Sequence, residues 1–195
     1  MRIITGKAKG CKLKTPKGIS TRPTADRIKE SLFNILGTDI AGTHILDIFA
    51  GTGNLGLEAL SRGAIDAVFV DQSLDSVSII KQNAEHTKLA ETTEIIQCDV
   101  FTAMKKLQRL DRKFDIVFCD PPYNKNLCQK ALLLFDEMDL LTSEALVIME
   151  HAVGDSLAMN LKNIILFRNQ RYGATTQISI FIRKADCYME MEERI

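Results

Sequence analysis

Apolar residues change their spacing several times along the chain, and each change marks an element. In "TADRIKESLFNILG", Ile28, Leu32, Ile35 and Leu36 recur at helical spacing and Gly37 suits a C-terminal cap, so a helix is predicted there. From His44 onward the helical spacing gives way to short apolar runs: "HILDIFA", "AVFVD", "EIIQCD", "FDIVFCD" and "ALVIME". Helical segments beginning near Asn54, Ser73, Phe101 and Asn126 separate them. Strands so continuously apolar do not suit a one-faced sheet; they predict a parallel sheet covered by helices on both sides. Two further strands, "NIILFRNQ" and "TQISIFIRK", are joined by a short turn around Tyr172 and Gly173, which predicts an antiparallel pair at the edge. At the other end, Ile3–Thr5 and Cys11–Thr15 flank "GKAKG" and predict a basic β-hairpin, followed by a loop punctuated by Pro16, Gly18 and Pro23. The expected fold is α/β: seven strands, mostly parallel with a terminal antiparallel strand, plus an N-terminal hairpin extension.

Composition narrows the class. At 195 residues, 46% hydrophobic and 26% charged, the chain suits one domain able to bury about 70% of its unfolded surface without a disulfide or metal. Its five cysteines are scattered and form no Cys-x-x-Cys pair, which predicts reduced thiols. His44, His86 and His151 lack metal-ligand spacing and read as surface or capping residues, so no metal is expected. Neither a signal peptide nor an apolar run of membrane length is present, so a cytoplasmic location is expected. Formal net charge is zero, but Arg2, Lys7, Lys9, Lys12, Lys14, Lys17, Arg22, Arg27 and Lys29 crowd the first segment against Asp26 and Glu30. The expected organisation is a basic arm over residues 1–22, a body over 23–184 and an acidic tail over 185–195. Such an arm is an electrostatic footprint for nucleic acid or, equally, a solvated hairpin.

Candidate chemistry gathers where strands end. In an open α/β sheet, ligands bind beyond the carboxyl ends of the strands. Asp47, Asp71, Asp99 and Asp120 all lie at or near such ends; one alone would read as a helix cap, but four around one mouth point to a ligand. "DIFAGTGNLG" carries Gly51, Gly53 and Gly56 in G-x-G-x-x-G spacing between a strand and a helix. Asp71, twenty residues after Gly51, is placed to accept both ribose hydroxyls of an adenosine. This much fits NAD or S-adenosylmethionine. Asp47 before the loop and Asp99 near the expected adenine, with Val100 or Phe101 against the ring, make the pocket acidic. Acid suits an ammonium and a sulfonium better than two phosphates, so S-adenosylmethionine is preferred. Phe49, Thr52, Gln72 and Asp120 complete the expected cofactor set.

"FDIVFCDPPYNKN" then ends a core strand in an acid, two prolines and a tyrosine. An exocyclic amine on a flat ring is a poor nucleophile, because its lone pair is delocalised. The Asp120 carboxylate and the Pro121 carbonyl can accept its N–H groups, the prolines (Pro121, Pro122) stiffen the loop, and Tyr123 can stack on the base. Whether Asp120 takes the proton or only accepts a hydrogen bond stays open.

In order, "DIFAGTGNLGLEA", the acid of "VFVDQ", "CDVF" and "DPPY" resemble the motifs of the amino-methyltransferases. "TRPTADRIKESLFNIL" and "RYG" are similar to the signature of the RsmD-type enzymes, and the likeness covers nearly the whole chain to about Lys184. The resemblance implies a Rossmann-like methyltransferase sheet and transfer from S-adenosylmethionine to N2 of a guanine in small-subunit (16S) ribosomal RNA. It implies that Arg22 and Thr24 lie near the methionine end of the cofactor, and that Lys7, Lys9, Lys12 and Lys14 grip RNA phosphates. The substrate is expected to be the small subunit or its assembly intermediate, and the enzyme a monomer. "TGKAKGCKL" departs from the family's "GGxxRGRxL" by placing Lys9 and Cys11 where arginines stand, which predicts fewer or weaker RNA contacts.

Alternatives are a DNA adenine-N6 methyltransferase, a nicotinamide-dependent oxidoreductase and a catalytically silent RNA-binding assembly factor. DNA enzymes need extra protein to read sequence and flip a base, and an oxidoreductase gives no reason for "DPPY". Glu58 reads as solvated, Cys119 as an inert core thiol, and Glu150 as either a surface acid or part of the mouth. Arg168 and Arg171 read as a further RNA-facing surface or as ordinary surface charge.

Overall fold

The computed structural model describes residues 1–16, 23–122, 126–155, 157 and 160–184, without the side chains of residues 23–25. The chain divides into two compact units, Met1–Ala103 and a second from Met104.

In the first unit the predicted helix is α1 (Pro23–Leu36). Its apolar stripe buries Ile28, Leu32, Phe33 and Leu36, and Gly37, at φ 58°, donates its amide to the Phe33 carbonyl and ends it. Strands β1 (His44–Ile48), β2 (Asp66–Asp71) and β3 (Thr93–Gln97) are parallel in the order β3-β2-β1. Helices α2 (Asn54–Ser61) and α3 (Leu74–His86) connect them. Ser73 caps α3, its hydroxyl accepting the Ser76 amide at 3.3 Å. The core of this unit is aliphatic and aromatic: Ile45, Leu46, Ile48, Val68, Phe69 and Val70 are fully buried. Helix α4 (Val100–Arg109) carries the chain across the division.

The second unit holds β4 (Phe114–Cys119), α5 (Leu127–Glu137), β5 (Leu141–Ala152), β6 (Ile164–Tyr172) and β7 (Thr176–Arg183). β4 and β5 are parallel; β7 runs antiparallel to β5 and to β6, giving the order β4-β5-β7-β6. The predicted antiparallel pair is therefore present, with the last strand inserted and β6 outermost. Burial explains this: Ile178, Ile180 and Phe181 of β7 are buried, whereas Ile165 and Phe167 of β6 are exposed. Asp136, at the end of α5, accepts the amides of Lys162, Asn163 and Ile164 and so pins the start of β6.

The seven predicted strands are the seven observed, with shifted ends. β3 stops two residues short of Asp99, and β5 begins four residues before the "ALVIME" run. The N-terminal hairpin is not confirmed as a pair of strands. Residues 1–14 form one antiparallel bridge, Arg2 with Lys12, and no strands. The Ile3 amide reaches the Cys11 carbonyl at 2.9 Å and the Leu13 amide reaches the Met1 carbonyl at 3.1 Å. Other backbone groups that would extend a ladder are taken elsewhere. The amides of Ile4 and Thr5 donate to Glu58, that of Lys7 to the Ser61 carbonyl, and that of Lys14 to Asn83. A Cβ at Gly6 would sit 1.8 Å from the Ser61 carbonyl oxygen, so only glycine allows the arm to lie this close to α2.

Candidate functional site

The first unit builds a glycine loop between β1 and α2. Gly51 and Gly53 take φ of 55° and 74°, a left-handed backbone that glycine adopts without strain. The turn closes through the Gly53 amide on the Ala50 carbonyl at 2.7 Å. Gly56 serves packing: a Cβ there would meet the Phe69 ring at 2.4 Å and Asp47 Oδ2 at 3.2 Å. Phe49 is held at φ 60° and meets Phe101 edge to face at 6.5 Å. Positive φ on an aromatic residue is strained, and strain of this kind collects at ligand sites.

Each acid of the loop already holds backbone. Asp47 is 4% exposed and its Oδ2 accepts the Gly56 amide at 2.9 Å. Burial pushes its carboxyl up to about 7, against the lowering effect of the Gly56 amide and with a further push from Asp71. Asp71 Oδ2 accepts the Gly51 amide at 2.9 Å and Oδ1 accepts the Ser73 amide at 2.8 Å. Its role in shaping the loop was not expected from sequence, where only ribose hydroxyls were assigned to it. Each carboxylate oxygen retains a second lone pair, so the two uses are compatible. Asp99 is exposed and caps α4, with Oδ1 accepting from the Thr102 amide at 3.1 Å and the Thr102 hydroxyl at 3.3 Å. Val100 is buried, Thr52 half-buried and Gln72 exposed.

A raised carboxyl has a defined signature in stability. Below pH about 4, where an unfolded aspartate protonates, Asp47 is neutral in both states and destabilises nothing. As pH rises towards about 7 the unfolded state ionises first, so stability falls through this window and levels off above it. Chemical unfolding of wild type and Asp47→Asn across pH 4 to 8 checks this: the variant should gain relative stability with rising pH, and a constant difference would contradict it.

In the second unit, Asp120 follows β4 directly and is exposed, Pro121 is buried and Pro122 exposed. Cys119 is buried, as expected of a core thiol. Tyr123 and Arg22 lie outside the described residues, as does the side chain of Thr24. Lys7, Lys9, Lys12 and Lys14 are all exposed on the arm. Lys14 is set apart, because its ammonium donates to Gln82 Oε1 at 2.7 Å. Arg171 reaches back to the carbonyls of Gly173 and Ala174 and braces its own turn.

Two readings are corrected. Glu58 is not solvated but fully buried; it pairs with Lys29 at 3.0 Å and Arg62 at 2.9 Å, and accepts the amides of Ile4 and Thr5 at 2.7 and 3.0 Å. Leu57, Ala59 and Leu60 adjoin Glu58 in sequence, but Asn54, Ser61 and Arg62 share its face at helical spacing, so the local pattern reads as a polar face and the arm packed over it buries the carboxylate. His151 is not at the surface but 2% exposed within β5, with Nε2 on the Ser179 hydroxyl at 2.9 Å. Lys29, 1% exposed, was missed as a buried residue although it shares the stripe of Phe33 and Leu36 at helical spacing. Burial lowers its pKa, and Glu58 opposes that shift. Among the described residues no group of three potential metal ligands gathers, and no helix is long and apolar enough to cross a membrane.

Comparison with known proteins places this architecture. A family described as "Conserved hypothetical protein 95" matches residues 1–181. The chain belongs to that family. Its relatives include "Ribosomal RNA small subunit methyltransferase D" of Escherichia coli, 36% identical over 89% of this chain and 85% of the relative. The protein of the same name from Haemophilus influenzae is 38% identical over 77% of this chain and 78% of the relative. Among solved structures, "Putative methyltransferase yhhF from Escherichia coli" superposes with a TM-score of 0.82 at 34% identity, covering 95% of this chain and 99% of that one. The family is the one that the "DPPY" and "TRPTADRIKESLFNIL" motifs resemble.

Proposed function

We propose that this protein is an S-adenosylmethionine-dependent ribosomal RNA methyltransferase that modifies the exocyclic N2 of a guanine in the small-subunit RNA. One observation carries the reading: a chain that aligns along most of its length with small-subunit methyltransferases sets a carboxylate and a stiffened proline carbonyl directly after β4.

The loop residues suit the cofactor. Gly51, Thr52 and Gly53 offer backbone at close approach, Asp71 retains lone pairs for ribose hydroxyls, and Asp99 with Val100 borders the adenine position. Asp47, Arg22 and Thr24 serve the methionine end; Phe49 and Gln72 complete the set. A buried carboxyl near neutrality ionises readily beside a cationic ligand, which phosphates would oppose. S-Adenosylmethionine supplies an electrophilic methyl group on a sulfonium.

The protein's own contribution is positional. Asp120 and the Pro121 carbonyl accept the two N–H bonds of the guanine amine, drawing them out of the ring plane so that the nitrogen lone pair is available. Tyr123 stacks on the base, and Pro122 stiffens the turn. On accepting a methyl group the amine nitrogen would become positively charged, and the Asp120 carboxylate would stand beside it. The amine proton then leaves, through Asp120 or directly to water. The arm meets RNA phosphates through Lys7, Lys9 and Lys12, with Lys14 sharing its charge with Gln82. The protein acts as a monomer in the cytoplasm, on the small subunit or its assembly intermediate.

Labelled methyl should transfer to unmodified small subunits and not to DNA, and digestion with mass spectrometry should place it on guanine N2. Transfer to adenine or to DNA would overturn the assignment. Neutralising Lys7, Lys9, Lys12 and Lys14 together should weaken RNA binding and reduce its log–log salt slope by about 2, at roughly 0.7 per lost phosphate contact for three free lysines. An unchanged slope would remove the arm from RNA recognition.

A further inference from the structure

The residues that moor the N-terminal arm are the same residues that border the glycine loop. Lys29 Nζ donates to the Arg2 carbonyl at 2.6 Å and to Asn54 Oδ1, the first residue after the loop, at 2.7 Å, while pairing with Glu58 at 3.0 Å. Glu58 holds the amides of Ile4 and Thr5. On the far side of the arm, Asn83 Oδ1 accepts the Lys14 amide at 2.7 Å. Its Nδ2 donates to the Lys14 carbonyl at 3.1 Å and to the Thr52 carbonyl, within the loop, at 2.9 Å. Lys29, Glu58 and Asn83 are all at most 1% exposed. Both ends of the arm therefore share buried polar partners with Thr52 and Asn54, and neither can shift without leaving a desolvated group unpaired.

We propose that Lys29, Glu58 and Asn83 are positioning residues that couple the arm to the glycine loop, so that RNA on the arm and cofactor in the loop bind cooperatively. The inference rests on the functional reading above. Ordering the loop around cofactor fixes Thr52 and Asn54, which fixes the partners of Arg2, Ile4, Thr5 and Lys14. RNA then meets an arm already ordered, and the conformational entropy of ordering it is lost only once. The effect is reciprocal: RNA must tighten cofactor by the same factor.

The test uses the full chain, S-adenosylhomocysteine and unmethylated small ribosomal subunits. In the wild type, S-adenosylhomocysteine is expected to tighten subunit binding about fivefold or more. Lys29→Met is expected to bind each ligand alone with the ratio reduced to near one, a change that lowered stability by itself would not produce. A wild-type ratio of one, or an unchanged ratio in the variant, overturns the proposal. Hydrogen exchange on the wild type decides the matter if the variant does not fold. S-Adenosylhomocysteine should slow exchange at the amides of Ile4, Thr5 and Lys14, and unchanged exchange there overturns the proposal. A wild type that binds neither ligand instead sinks the functional reading.

Discussion

Asp120→Ala is expected to lower methyl transfer by about 10²–10⁴-fold while leaving S-adenosylhomocysteine affinity within several-fold. The asymmetry follows from position. The glycine loop is held by Asp71 on the Gly51 amide, Asp47 on the Gly56 amide and the Gly53 amide on the Ala50 carbonyl, all within the first unit. In the proposed mechanism the carboxylate after β4 instead meets the charge that grows on the amine during transfer, so its removal is expected to act on turnover. Asp120→Asn separates its two possible roles. The amide keeps an acceptor oxygen but cannot take a proton at neutral pH, so substantial residual activity means hydrogen bonding dominates. Loss as deep as that of the alanine variant means proton removal matters. Single-turnover rates beside calorimetric cofactor titrations make the comparison, and an unimpaired alanine variant would remove Asp120 from the mechanism.

Glu58→Ala should cost about 3–5 kcal/mol of stability, the usual result of leaving a buried charge without its partner. The truncation strands the Lys29 ammonium at 1% exposure and leaves the amides of Ile4 and Thr5 without their acceptor. It also releases Arg62, which lies 4.7 Å over the Phe33 ring and pairs with the same carboxylate. Replacing both members, as Lys29→Met with Glu58→Leu, should recover much of the loss, because neither charge is then buried. Urea midpoints of the wild type, both single variants and the double variant complete the cycle. A Glu58→Ala midpoint equal to that of wild type would show that the pair contributes nothing to folding.

Much of this protein was legible from residue order because the signals are local. Apolar run length distinguished the β-strands from α1, and glycine spacing located a turn whose φ values at Gly51 and Gly53 are positive. The Asp-Pro-Pro run announced an exposed acid after a buried strand. Strand ends were less legible: Cys98 and Asp99 continue an extended-looking run, yet Asp99 caps α4 through Thr102. Capping competes with strand extension for the same residue, and only the position of the helix decides between them.

Period, composition and turn chemistry were thus sufficient for the seven strands, the glycine loop and the acids beside it, since each depends on neighbours a few residues away. Tertiary structure alone decided that β7 inserts beside β5, that the arm closes by a single bridge, and that Lys29, Glu58 and Asn83 are buried together. The β5–β7 pairing joins residues 24 to 36 apart, and the buried polar residues find partners 25 to 69 residues away. A charged side chain is stable in the interior only where such distant partners desolvate with it, and no local pattern records that they will.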